Sequence, residues 1–75
     1  MAYAPRAAVQ LNINGTSRTF DRPVHTVAEL VHQLALDGKR IAVERNGMIV
    51  PRSRYADTPV APGDALEIVG AVGGG

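Results

Sequence analysis

Residues 9–20 read VQLNINGTSRTF, and this stretch decides how the chain begins to fold. In its first half, apolar residues alternate with polar ones, which is the period of a half-buried β-strand. Asn14-Gly15 comes next, a dipeptide that tolerates the positive φ angles of a type I′ hairpin turn. Residues 16–20 contain β-branched and aromatic side chains, which favour a return strand. The stretch therefore predicts a β-hairpin.

A capping motif and one apolar stripe predict a helix after the hairpin. The segment Asp21-Arg22-Pro23 ends the return strand, because proline has no amide hydrogen to give to a ladder. Thr26 and Glu29 fit a capping box, in which the threonine hydroxyl accepts from the Glu29 amide and the glutamate accepts from the Thr26 amide. We expect a helix of about ten residues that ends at a left-handed Gly38. Its apolar stripe consists of Val27, Leu30, Val31 and Leu34.

A second hairpin is predicted in the middle of the chain. Residues 41–45 (IAVER) have the pattern of a strand, and Asn46-Gly47 supplies a second tight turn. Residues 48–50 predict a short fourth strand, which stops at Pro51. A helical turn is expected over residues 53–56.

The last strand completes the order of a known architecture. Pro62-Gly63-Asp64 is a strong turn signal, and residues 65–69 then place Leu66 and Ile68 on one face. One helix and one sheet must bury their apolar faces against each other. Hairpin, helix, hairpin, strand is the order of a ubiquitin-like β-grasp domain, an α+β fold with a mixed sheet of about five strands and one helix across one face. The expected core consists of Val9, Leu11, Ile13, Val27, Leu30, Val31, Leu34, Ile41, Val43, Leu66 and Ile68.

The chain divides into one domain and two short ends. Its 75 residues are enough for a single domain with a thin core. Residues 1–7 lack periodicity and are predicted to be a loose N-terminal extension. Residues 8–70 are predicted to form the β-grasp domain, and residues 71–75 a flexible glycine tail.

Composition excludes several classes of partner and of site. The net charge is +1 and the basic residues are scattered, so we expect neither a nucleic-acid patch nor a membrane patch. There is no cysteine, which excludes a disulfide, a thiolate zinc site and a thiol nucleophile within the chain. The start lacks the charged and apolar regions of a secretory signal, and no apolar run could span a membrane. We expect an intracellular, cytoplasmic protein.

No group of residues has the spacing of a catalytic or metal site. His25 and His32 are seven residues apart, but His25 precedes the helix cap, so the two need not share a face. The histidines and the two serines, Ser17 and Ser53, do not form a triad pattern. We therefore expect no catalytic residue, no metal and no bound cofactor, and predict that the chain is not an enzyme.

The chain ends in Gly73-Gly74-Gly75, shortly after the last predicted strand. Glycine has no Cβ, so Gly73 and Gly74 could thread a narrow channel in a partner and present the Gly75 carboxylate inside it. A carboxylate is a poor electrophile and must first be activated. Reaction with ATP would give a mixed anhydride with AMP, which a sulfur nucleophile could then attack. The alternative is that the glycines are a cloning remnant or a loose end.

Residues 9–75 resemble the ThiS family, the bacterial sulfur carriers of thiamine thiazole synthesis. A glycine end alone is shared by all ubiquitin-like carriers, whereas the joint order and spacing of several motifs is specific. These motifs are residues 11–15 (LNING), 26–30 (TVAEL), 42–52 (AVERNGMIVPR), the turn at 63–64, residues 66–69 (LEIV) and the glycine end.

The resemblance implies a mechanism with three partners. An E1-like adenylyltransferase of the ThiF type would activate Gly75 with ATP and magnesium, and a persulfide donor would convert the carboxylate into a thiocarboxylate. A thiazole synthase of the ThiG type would then receive the sulfur.

The alternation of the last strand directs Val69 outward, with Val72 following in the tail. We expect these two valines to help form an apolar docking surface for the adenylating enzyme.

Two other functions remain as alternatives. One is a sulfur carrier for molybdopterin synthesis, although that family usually has bulky or proline-containing residues before Gly-Gly, unlike Gly70-Ala71-Val72. The other is a ubiquitin-like interaction module that uses only its sheet surface and transfers no sulfur.

Overall fold

The computed structural model of the chain describes residues 9–70. The elements run in the predicted order: β1 (Val9–Ile13), β2 (Thr16–Phe20), α1 (Val27–Gln33), β3 (Ile41–Arg45), β4 (Met48–Val50), a 3₁₀ helix (Arg52–Asp57) and β5 (Ala65–Gly70). The strands match their predicted bounds, except that β5 extends one residue further, to Gly70. The predicted extension (residues 1–7) and tail (residues 71–75) lie outside the described residues, so the predicted domain boundaries stay predictions.

Strand β5 is the centre of the sheet. The strand order is β2-β1-β5-β3-β4, with β5 parallel to β1 and antiparallel to β3. The two hairpin pairs, β1 with β2 and β3 with β4, are antiparallel. This arrangement confirms the predicted mixed sheet and the β-grasp fold.

Both Asn-Gly dipeptides adopt the predicted turn conformation. The φ angles are 52° at Asn14 and 82° at Gly15, and 50° at Asn46 and 87° at Gly47. Positive φ at both central positions is the requirement of a type I′ turn, whose twist matches that of the flanking strands. Each dipeptide therefore sets the register of its hairpin.

The start of α1 follows the capping box with one difference. The Glu29 amide donates to the Thr26 hydroxyl over 3.2 Å, as predicted. The Glu29 carboxylate, however, accepts from the His25 amide over 2.7 Å and not from the predicted donor, the Thr26 amide. Thr26 is in extended conformation and forms an isolated β-bridge with Pro59, which fixes the backbone on either side of it. The glutamate thus closes the box one residue earlier than predicted, on the His25 amide.

The helix is shorter than predicted, because Ala35 rather than Gly38 ends it. The α-helix spans Val27–Gln33, and Ala35 is the first left-handed residue after it, with φ 60°. The amide of Ala35 donates to the His32 carbonyl and that of Leu36 to the Val31 carbonyl, each over 3.0 Å. These two bonds form a Schellman motif, which satisfies the last carbonyls of a helix.

The core lies between α1 and one face of the sheet. Eight of the predicted core residues are buried, while Val9, Leu34 and Ile41 are only partly buried and pack against the margin of the core. Four buried residues were missing from the prediction: Phe20, Val24, Val50 and Val60. Tyr55 of the 3₁₀ helix packs against this core as a partial cover.

Candidate functional site

The end of β5 is where the predicted tail leaves the sheet. Gly70 is the last described residue, and it is paired with Ile41 at the start of β3. The predicted threading residues Gly73 and Gly74, the predicted sulfur-bearing Gly75, and Val72 all lie outside the described residues. Their roles therefore stay predictions, and the described part of the site is the strand from which the tail departs.

Val69 is the one predicted site residue that the structure describes. Its side chain is 54% exposed, so the outward direction predicted from the alternation of β5 is confirmed. Val69 is paired with Ala42 of β3, on the face of the sheet opposite to the buried Leu66 and Ile68. Whether a partner contacts it is not fixed by this geometry, and that role stays a prediction.

The same face carries three more side chains that the sequence did not single out. Ile49 of β4 is 75% exposed and is paired with Glu44 of β3. Glu44 is paired on its other side with Glu67 of β5. We call five residues on this face of β3, β4 and β5 the outer patch: Ala42, Glu44, Ile49, Glu67 and Val69. The alternation within each strand predicts that these side chains are exposed. The register that brings them together cannot be read from the sequence.

The Asn14 side chain holds β5 shortly before the tail. β1 ends at Ile13, so the edge of β5 beyond Leu66 has no further residue of β1 to pair with. The Asn14 amide group replaces the missing strand. Its Nδ2 donates to the Ile68 carbonyl over 2.9 Å, and its Oδ1 accepts from the Ile68 amide over 2.7 Å. The turn residue thereby fixes the position of β5 two residues before Gly70.

Asp64 joins the second Asn-Gly turn to the start of β5. Its carboxylate accepts hydrogen bonds from Arg45 Nε at 2.9 Å, Asn46 Nδ2 at 3.1 Å and the Ala61 amide at 2.8 Å. The Asn46 side chain in turn accepts from the Ala65 amide. Partial burial acts to raise the pKa of the Asp64 carboxyl. The Ala61, Asn46 and Arg45 donors together outweigh burial, so the pKa of Asp64 lies below its ordinary value.

The histidines lie apart from β5 and form simple surface pairs. His25 Nδ1 is 3.3 Å from Glu29, and His32 Nδ1 is 2.6 Å from Asp37; both imidazoles are well exposed. The two histidines border a surface depression of about 510 Å³ along α1, which contains no residue of β5. Residues 9–70 contain no cluster of three or more histidine, aspartate or glutamate side chains placed to hold a metal ion. In the same part of the chain, no helix has the length and apolar character needed to span a membrane.

Comparison with known proteins agrees with this architecture. The sequence model of the ThiS family matches residues 11–75. The sulfur carrier protein ThiS of Bacillus subtilis is 34% identical over 65 residues, which cover 87% of this chain and 98% of that protein. The crystal structure of the thiamine biosynthesis protein ThiS of Geobacter metallireducens superposes with a TM-score of 0.77 at 33% identity, covering 89% of this chain and all of that one.

A longer relative contains a similar segment. The thiazole synthase of Paramagnetospirillum magneticum is 48% identical over 67 residues, which are 89% of this chain but 20% of that protein. The chain thus spans about a fifth of the length of this relative. The family match, which extends over most of the chain, and the full-length similarity to the Bacillus subtilis carrier confirm the resemblance that the sequence motifs indicated. The chain belongs to the ThiS family.

Proposed function

We propose that this chain is a sulfur carrier of thiamine biosynthesis, which holds the sulfur as a thiocarboxylate on Gly75. The observation that carries the proposal is the family match, because it continues through residue 75 and so includes the glycine end. The name of the Bacillus subtilis relative, sulfur carrier protein ThiS, supports the same assignment. On this proposal the chain is itself a carrier and not an enzyme.

The position of β5 suits a strand that must present a reactive end. It is paired with β1 on one side and with β3 on the other, and Asn14 continues the pairing up to Ile68. The sheet therefore fixes the point of departure at Gly70. Beyond it, the glycines at 73–75 add no side-chain bulk, so that this end of the chain could enter a narrow channel of a partner.

The chemistry of the proposed cycle begins with activation of the Gly75 carboxylate. Its oxygen attacks the α-phosphate of ATP, pyrophosphate leaves, and a mixed anhydride with AMP is formed. The terminal sulfur of a persulfide then attacks the acyl carbon and displaces AMP, giving an acyl disulfide. A thiol cleaves this disulfide, so that one sulfur stays on the carrier as a thiocarboxylate and the thiol forms a new disulfide with the donor.

Three partners follow from this proposal. An E1-like adenylyltransferase would use ATP and magnesium to activate Gly75, and a persulfide protein would donate the sulfur. A thiazole synthase would accept it, which is supported by the similar segment within the Paramagnetospirillum magneticum thiazole synthase. Val69, which is exposed, and Val72 would contribute apolar contacts to the adenylyltransferase. We place the cycle in the cytoplasm, where ATP is available.

Intact mass spectrometry tests the proposal directly. The chain, incubated with ATP, magnesium, the adenylyltransferase and a persulfide donor, should gain the mass difference between one sulfur and one oxygen atom. Fragmentation should locate the gain on Gly75. Removing Gly75, or adding one glycine after it, moves the carboxylate by roughly 3.3–3.6 Å along an extended chain. A misplacement of about 1 Å can already cost a hundredfold in rate, so both variants should fold normally and acquire little sulfur.

The experiment includes a matched control variant, and the alternative functions predict different results in it. One glycine added before Met1 lengthens the chain equally and should leave sulfur uptake unchanged. A ubiquitin-like interaction module would keep its activity without Gly75 and would never gain sulfur. Full activity of the chain that lacks Gly75 would therefore contradict the proposal. A molybdopterin carrier, such as the small subunit of molybdopterin synthase, would gain sulfur too but would supply it to molybdopterin synthesis. The family match and the thiazole synthase similarity favour thiamine.

A further inference from the structure

The outer patch contains two glutamates at directly opposed positions of neighbouring strands. Glu44 of β3 is paired with Glu67 of β5 in the antiparallel register, so both side chains leave the sheet on the same face. Like charges opposite each other in a ladder repel and weaken strand pairing. Neither glutamate belongs to an ion pair within residues 9–70. The pairing therefore has a local cost that no ion pair among the described residues offsets.

Apolar side chains adjoin the two carboxylates. Ile49, Glu44 and Glu67 form a continuous row across β4, β3 and β5. Val69 and Ala42 form the neighbouring row, and both Ile49 and Val69 are largely exposed. Uncompensated charge beside exposed apolar side chains does not stabilise the isolated domain, whereas it is typical of a surface that another protein covers.

We propose that the outer patch docks the activating partner through basic side chains, with an arginine or lysine of that partner placed between Glu44 and Glu67. Apolar side chains of the partner would cover Ile49 and Val69. The inference rests on the proposed function, because β5 carries Glu67 and leads directly to the tail that the partner must receive. The inference goes beyond the proposed function in one respect: it specifies that the group of the partner that recognises the carrier is positively charged.

A basic group suits this position for two physical reasons. It would cancel the repulsion between Glu44 and Glu67, which persists only while the chain is free. A planar guanidinium can also donate to two carboxylates at once, which makes arginine the better fit. Charge complementarity of this kind accelerates encounter and rejects partners of the wrong sign.

The test removes both charges and keeps the size of the side chains. The double variant E44Q/E67Q should melt at the same temperature as the wild type or higher, because a repulsion is lost. Its affinity for the purified adenylyltransferase, measured by titration calorimetry, should fall about tenfold or more at low salt. Raising the ionic strength from about 0.01 M to about 0.1 M shortens the Debye length from about 30 Å to about 10 Å. The affinity of the wild type for the adenylyltransferase should therefore fall markedly, and that of the variant much less.

Two further variants separate the patch from general charge effects. D21N/D57N removes two exposed carboxylates outside the outer patch and should bind like the wild type. E44D/E67D keeps both charges and should retain most of the affinity. Equal weakening in D21N/D57N would assign the effect to net charge and overturn the inference.

The outcomes also distinguish the inference from the proposed function. A wild-type chain that never gains sulfur from the partner contradicts the proposed function, and with it the inference that rests on it. A wild-type chain that gains sulfur, while E44Q/E67Q binds the adenylyltransferase as tightly as the wild type, contradicts the inference alone.

Discussion

At the scale of single residues, the two Asn-Gly turns share a backbone conformation but differ in what their amide groups bind. Asn14 pairs with both backbone groups of Ile68 through partly buried hydrogen bonds. Asn46 bonds to the Ala65 amide and to Asp64 at an exposed position. An unpaired backbone group that is withdrawn from water costs more than one that water can reach. Asn14 should therefore matter more for stability than Asn46.

We predict that Asn14→Gly lowers the free energy of unfolding by about 1–3 kcal/mol, because the N–H and C=O groups of Ile68 lose their partners. Glycine tolerates the positive φ at this position, so backbone strain does not contribute. Asn46→Gly is the matched control in the second turn and should cost about 1 kcal/mol or less. Urea unfolding of both variants measures the difference. Equal losses would show that the contact with Ile68 adds nothing to the turn itself.

The sequence predicted some of these residues and could not predict others. The outward direction of the Val69 side chain follows from the alternation of apolar and polar residues within β5, which is a local feature of the sequence. The Asn14 contact with Ile68 joins residues 54 positions apart, and the opposition of Glu44 and Glu67 depends on the register of two strands. Register and long-range pairing are set by the packing of the whole sheet, so the local pattern carries no signal for them.

At the scale of elements, the strands could be predicted closely and the end of the helix could not. Asn14-Gly15 and Asn46-Gly47 separate the strands of the two hairpins, and Pro51 directly follows β4, so these residues break the ladder at definite positions. The sequence predicts that α1 ends at Gly38, because glycine is the usual left-handed residue after a helix. The chain instead uses Ala35, whose Schellman bonds bring Leu36 against the core. Tertiary packing here outweighs the local preference.

We predict that Ala35→Gly stabilises the protein by about 0.5–1 kcal/mol. An alanine with positive φ is strained by its Cβ, and glycine removes this strain at the cost of a more flexible unfolded chain. The melting temperature should rise by a few degrees, since about 1 kcal/mol corresponds to roughly 4–8 °C in a domain of this size. Ala28→Gly, within α1, is the control and should destabilise by about 1 kcal/mol. A lower melting temperature for Ala35→Gly would contradict the prediction.

At the scale of the whole molecule, burial depends on where an element lies as well as on its apolar pattern. Leu34 continues the stripe of α1 but follows its last helical residue, and it is only partly buried. Phe20 and Val50 end their strands, and Val24 and Val60 lie in connecting segments, yet all four are buried. Periodicity assigns faces only within regular elements. The residues that close the edges of the core are therefore those that the sequence pattern misses.

Leu30 and Leu34 provide the sharpest test of this view, because the same substitution can be made at a buried and at a partly buried position of one stripe. Leu30 is fully buried, so Leu30→Ala should lower the free energy of unfolding by about 2–5 kcal/mol. Leu34→Ala removes the same atoms from a site that still contacts water, and its loss should be clearly smaller. Urea unfolding of the two variants measures both losses, and equal values would show that α1 does not define the centre of the core.

The same pair separates loss of fold from loss of chemistry. A domain of 75 residues has roughly 4–11 kcal/mol of stability in all, so Leu30→Ala removes a large share of it. Its sulfur uptake should fall only as the folded fraction falls, and should recover where the variant is folded. The chain without Gly75 should remain folded at every temperature at which the wild type is folded and still gain little sulfur. A Leu30→Ala variant that is fully folded yet takes up no sulfur would mean that the core, and not only the tail, takes part in activation.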